Sequence, residues 1–227
     1  SKKYLETVVN YYIKNNFQVC LVNFKHQDSY DSEINIGIRI YENALNDMAR
    51  KIKNCNSPYG YISMGSTIVC TIKAYIAVGG MPKRKAAEDF YFMQSLAKYT
   101  HINQIKDILV YPSSRLEQRV HLGTGYRMIE YKNNNKFNNL FFSNRCYEIL
   151  KKIILEVEKN YSCSYQFFNK ELNKNFDNKV CNFLYNHKIE NIWDHINTNA
   201  KTKKQFMLFF HQWFDALKIM QLLKHIS

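Results

Sequence analysis

Two adjacent carboxylates, Glu88 and Asp89, follow the run Gly79-Gly80-Met81-Pro82-Lys83-Arg84-Lys85-Ala86-Ala87 and open a segment with helical spacing. Acids at a helix start have two uses. They complement the positive end of the helix dipole, each stabilising by roughly 0.3–1 kcal/mol, or one of them takes a proton from a hydroxyl within hydrogen-bond reach. Asp89 stands at i relative to Phe92, Met93 and Leu96 at i+3, i+4 and i+7, so it continues an apolar stripe toward the core side. At such a place the dipole lowers the basicity of a carboxylate and burial raises it. A second cluster runs from Pro112 to Gly125. Arg115 and Arg119 are able to clamp phosphate oxygens in two-pronged geometry, and Gly123-Thr124-Gly125 to offer backbone N–H groups to an anion. An ordinary surface loop carrying arginines fits the same residues.

The elements that must hold these groups read as an alternation of helix and strand. Apolar residues at 5, 8, 9, 12 and 13 predict a helix, Phe17 to Phe24 a buried strand, and residues 33 to 53 a second helix. The Asn, Pro and Gly content of 54 to 60 ends it. Tyr61 to Ile72 is β-branched, with Gly65 marking a bend or a close approach to a ligand. A short helix over 73 to 77 is closed by Gly79-Gly80, and a further helix spans about 87 to 99. The chain is expected to be extended through Leu109-Val110-Tyr111 and to form a loop from Arg115 to Gly125. Asparagine-rich residues 131 to 142 read as a linker. Beyond it, helices are predicted at about 143 to 159, 177 to 187 and 202 to 225, the last with Phe206, Phe209, Phe210, Trp213, Leu217 and Met220 on one stripe. Such a stripe is more often core or docking surface than a cofactor box.

The chain has 227 residues, enough for a full core, and a formal charge of +13. That charge admits an anionic partner, but the lysines are spread without a long run, which favours a solvated basic surface over a nucleic-acid site. Six cysteines show neither CxxC nor zinc-type spacing with histidine, as in a reducing compartment. No apolar run approaches the roughly 18 residues of a membrane span, and no leader pattern begins the sequence. A cytoplasmic protein, or one peripheral at a membrane, is expected.

Taken in order, Gly65-Ser66, a β run, Ala74-Tyr75, Val78-Gly79-Gly80 and Glu88-Asp89-Phe90 resemble the acceptor-side half of family-2-like glycosyltransferases of the GT-A (nucleotide-diphospho-sugar transferase) fold. The 115 to 125 segment resembles the Arg-Val-x-x-Gly-Thr-Gly stretch of some members, where others carry Gln-x-x-Arg-Trp. The resemblance covers residues 1 to 130. It implies an α/β fold with a partial GT-A-like mixed sheet and a C-terminal helical extension, divided as 1–130 acceptor-side half, 131–142 linker and 143–227 helical extension. It further implies that Asp89 is the general base, supported by Glu88, in inverting transfer of a sugar from a nucleotide-diphosphate donor to an acceptor hydroxyl. Arg115, Arg119, Gly123, Thr124 and Gly125 then bind substrate or phosphate, and His26 lines the acceptor side. By the same analogy His121 is a candidate ligand of a divalent Mg or Mn ion.

The family's Asp-x-Asp metal motif and its sugar-nucleotide half have no counterpart here, since Asp28-Ser29-Tyr30-Asp31 has the wrong spacing. The chain is therefore expected to be a fragment, inactive alone. The run Phe210 to Lys218 looks like the helical extension of bacterial members, and the tail is a candidate for membrane or protein contact. The competing class is a non-catalytic basic scaffold that binds nucleic acid, anionic lipid or a partner protein.

Overall fold

The computed structural model describes residues 3–117, 123–137 and 140–227. The fold is α/β, with a three-stranded mixed sheet among many helices. Two compact units divide the chain, one formed by residues 1–49 with 61–141 and the other by 50–60 with 142–227.

In the first unit α1 (Tyr4–Asn15) leads into β1 (Val19–Phe24), followed by α2 (Ser32–Asn54), which passes into the second unit. A 3₁₀ turn at Gly65–Thr67 precedes β2 (Ile68–Cys70), α3 (Ile72–Ala77), α4 (Glu88–Tyr99), β3 (Ile102–Val110) and α5 (Gly123–Asn134). The strand order is β2-β1-β3, with β2 antiparallel and β3 parallel to the central β1. A central strand is covered on both faces, which is why Val19, Cys20, Leu21 and Val22 form an unbroken apolar run. Alternation along it separates two cores. Cys20 and Val22 join Val8, Phe17, Ile105 and Leu109, whereas Val19 and Leu21 join Ala74, Phe92, Met93 and Leu96. A third core joins Ile34, Ile38, Tyr41 and Ala44 of α2 to Met128 of α5 and to Leu140.

The β1–β3 register shifts on either side of Asn23, whose side-chain amide donates to the Lys106 carbonyl at 2.7 Å. Past the strands the two segments stay paired, Lys25 N–H donating to Val110 O and Gln27 N–H to Pro112 O. His26 and the 112 to 115 segment therefore leave the sheet side by side at the carboxyl ends of parallel strands, the usual place for a site in α/β proteins.

The second unit holds α6 (Asn144–Lys159), α7 (Tyr165–Asn175), α8 (Asn178–Asn186), α9 (Ile189–Asn199), α10 (Lys203–Trp213) and α11 (Ala216–Ile226). Phe168 stacks on Trp193 at 3.6 Å between ring centroids, and Phe206 meets that indole edge-on at 5.3 Å. Helix α11 packs against α6 and α8.

Several expectations need correction. The single helix over 202 to 225 is two, because the Asp215 carboxylate accepts from Lys218 N–H and starts α11 anew after Phe214. Of its aromatic stripe, Phe206 and Phe210 are fully buried and the other members only partly. Helices α7 and α9 fall in stretches the sequence left unassigned. Their N-caps explain part of this: Ser164 caps α7 by its hydroxyl, while Lys188 precedes α9 in a left-handed conformation without a side-chain cap. Asn133 and Asn134 are not linker but the last turn of α5, which ends at Asn135 with φ of 51°. Asn138 and Asn139 lie outside the described residues. Gly123-Thr124-Gly125, expected in a loop, forms the first turn of α5.

Candidate functional site

Helix α4 begins without a side-chain cap, after Ala87 at φ 59° and ψ 22°. A left-handed alanine costs roughly 1–2 kcal/mol, and such strain clusters where geometry serves function. It delivers Glu88 and Asp89 into the first helical turn. Asp89 is half-buried, its Oδ1 accepting from Phe90 N–H at 2.7 Å and its Oδ2 from Gly65 N–H at 3.2 Å. Burial pushes its carboxyl above the ordinary value, with Glu88 adding to the effect and the N–H donors opposing it. Burial outweighs the N–H donors.

Gly65 is the link from this acid to a cleft. A Cβ placed on it would sit 3.8 Å from the Asp89 Cβ, an ordinary contact, so its use lies in its backbone N–H. With Met64 and Ser66 it forms one wall of a cavity of about 420 Å³, whose other lining residues are Pro112, Ser113, Arg115, Glu117 and the Gly123-Thr124-Gly125 turn. Arg115 is half-exposed and pairs with Glu117 at 3.3 Å. A Cβ on Gly125 would collide with the Glu117 carbonyl oxygen, so only glycine lets α5 start this close to that segment of backbone. Gly123, at φ 85°, makes the turn into the helix.

His26 sits behind this wall and does not line it. Its side chain is completely buried, Nε2 lying 3.3 Å from Thr124 Oγ1 and Nδ1 2.9 Å from Glu42 Oε1. The same Glu42 oxygen accepts from the His26 backbone N–H at 2.6 Å, and Glu42 Oε2 accepts from Arg39 at 2.5 Å. Arg39 also donates to the His26 carbonyl at 2.7 Å and to Asp28 at 2.6 Å. Burial holds the imidazole below its ordinary value; the bond to Glu42 and its charge oppose this, and Arg39 adds to it. Tyr41 packs at 6.5 Å from the His26 ring, its hydroxyl pushed up by burial, with the charge of Arg127 opposing and that of Asp89 adding.

The structure thus brings Arg115, Gly123, Thr124 and Gly125 to one cleft, joins Asp89 to it through Gly65, and sets His26 one layer deeper. Glu88 is partly buried beside Asp89. Arg119 and His121 lie outside the described residues. Among the described residues no group of three His, Cys, Asp or Glu side chains is arranged to hold a metal ion, and no helix is long and apolar enough to cross a membrane. Sequence reading missed Glu42, Arg39 and Asp28. The i, i+3 spacing of Arg39 and Glu42 was visible, but their convergence on His26 arises only when α2 folds against the end of β1.

No protein-family model, curated protein or solved structure matches the chain.

Proposed function

We propose that this cleft is the acceptor side of a glycosyl-transfer site, in which Asp89 deprotonates an acceptor hydroxyl as it attacks the anomeric carbon of a nucleotide-diphosphate sugar. One observation carries the reading: a half-buried carboxylate, made more basic by burial, accepts from the N–H of Gly65, a wall residue of the cleft that also holds Arg115. A base for this step needs a rigid position and a raised proton affinity, and burial at a helix start supplies both.

In the proposed step the acceptor O–H proton passes to an Asp89 oxygen while the new C–O bond forms. The bond from the anomeric carbon to the diphosphate breaks, the nucleoside diphosphate leaves with the electron pair, and attack from the opposite face inverts the centre. Glu88 supports the base by raising its affinity for the proton. Arg115 and the N–H groups at the start of α5 suit an anionic part of a substrate. Among the described residues no group of three His, Cys, Asp or Glu side chains fits a Mg or Mn ion. The nucleotide-sugar partner would be held by a donor-binding region joined to this one.

The test is release of nucleoside diphosphate by the protein encoded by the intact gene, mixed with a panel of nucleotide sugars and methyl glycosides. Turnover that depends on both partners and yields the inverted anomer supports the reading. Donor-independent behaviour, together with oligonucleotide binding that weakens steeply with salt, would instead favour the basic scaffold.

A further inference from the structure

The hydrogen-bond polarity of the cleft can be worked out from the buried groups behind it. Glu42 receives donors on both oxygens, from Arg39 on one and from the His26 backbone N–H on the other, which also faces the ring Nδ1. A carboxylate so placed is an acceptor only, so the ring proton of neutral His26 stands on Nδ1. The ring is completely buried and its Glu42 neighbour is already charge-paired with Arg39, an arrangement that favours the neutral imidazole, as does burial's lowering of its proton affinity. Its Nε2 is then a bare lone pair, and Thr124 Oγ1 at 3.3 Å supplies the hydroxyl proton that satisfies it. The threonine O–H is spent inward, so what that hydroxyl can offer to the cleft Thr124 lines is its oxygen lone pairs.

We infer that Thr124 is a hydrogen-bond acceptor subsite that takes a hydroxyl group of a carbohydrate or polyol ligand and disfavours phosphate oxygen at that point. Phosphate oxygens only accept, and two acceptors facing each other repel; a sugar hydroxyl donates. The Thr124 hydroxyl therefore leaves the set of phosphate-binding groups, which keeps Arg115 and the backbone N–H groups of the Gly123-Thr124-Gly125 turn. The carboxylate, imidazole and hydroxyl series is not a nucleophile relay. In such a relay the imidazole hands its proton to a leaving group, and the side chain of His26 is completely buried. His26 and Glu42 are positioning residues that fix the direction of one hydroxyl.

This inference rests on the cleft being the acceptor side, and two measurements on the intact protein at pH 7 separate its failure from the failure of that reading. Nitrogen-15 NMR of the histidine rings is expected to show His26 as the Nδ1–H tautomer; the Nε2–H tautomer would overturn the polarity argument. NMR titration with methyl hexosides and with inorganic pyrophosphate reads the ligand preference. A methyl hexoside is expected to bind wild type and Thr124→Ser with the same affinity within threefold, and Thr124→Val about tenfold more weakly, one hydrogen bond's worth. Equal hexoside affinity in wild type and Thr124→Val overturns the inference alone. Weaker pyrophosphate binding in Thr124→Val also overturns it, because Thr124 would then be donating to phosphate. Wild type that binds pyrophosphate but no hexoside overturns both this inference and the acceptor-side reading.

Discussion

Replacing Asp89 by asparagine separates a catalytic role from a structural one, because two opposing effects on stability nearly cancel. Both carboxylate oxygens accept backbone N–H groups, from Phe90 at 2.7 Å and Gly65 at 3.2 Å. Asparagine keeps one acceptor and turns an NH₂ toward the other donor, a loss of about 1 kcal/mol. Against this, the carboxyl of Asp89 is raised by burial. A group raised in the folded state contributes stability that is present below its unfolded value and lost as pH rises through its folded value, so at neutral pH the charged carboxylate is a liability. The amide removes it. The net change should stay within about 1 kcal/mol, or roughly 2–4 °C in melting temperature for a chain of this size. Turnover behaves differently: loss of a general base lowers kcat by about 10²–10⁴, equivalent to roughly 3–5 kcal/mol of barrier. Nucleoside diphosphate release under saturating substrates, with thermal melting alongside, measures both. A kcat within tenfold of wild type in a folded protein removes Asp89 as the base. A melting temperature lowered by more than about 10 °C would show that the acid is chiefly structural.

Gly125→Ala drives a Cβ against the Glu117 backbone oxygen, which cannot turn aside as a side chain would; we expect a loss of about 1–3 kcal/mol by denaturant unfolding and a weakened affinity of the cleft. Ala87→Gly relieves the left-handed alanine before α4 and should stabilise by about 0.5–1 kcal/mol, while loosening the placement of Asp89 enough to lower kcat; unchanged stability would show no strain there. In the second unit, burial pushes the His211 imidazole down to about 4, the charge of Glu158 partly opposing, and its Nδ1 has no hydrogen-bond partner among the described residues. Its folded value lies below the unfolded 6.5, so its contribution is present above pH 6.5 and is lost as pH falls toward 4, by at most roughly 3 kcal/mol. Urea unfolding at pH 7 and pH 4.5 should show that loss in wild type and a smaller one in His211→Leu.

The amino-acid sequence by itself determined the elements whose pattern is local. The apolar run of β1 marked a strand buried on both faces, the 3.6 period marked α2 and α6, and Gly79-Gly80, at φ of 77° and 75°, closed α3 as glycine spacing requires. It also marked Glu88 and Asp89 as acids at a helix start. It did not reveal the split between α10 and α11, since the aromatic stripe continues in register across a break made by one capping aspartate. Only the tertiary structure decided the sign of the Asp89 perturbation, because desolvation depends on what the helix packs against, while the dipole is known from sequence position alone. Only it decided that Gly65 serves through its N–H, and that Thr124 is tied from behind to His26, 98 residues away in the chain, which in turn is tied to Glu42, 16 residues from it. Hydrogen-bond polarity is a property of neighbours in space, and a one-dimensional pattern has no means of stating which oxygen already has its proton committed.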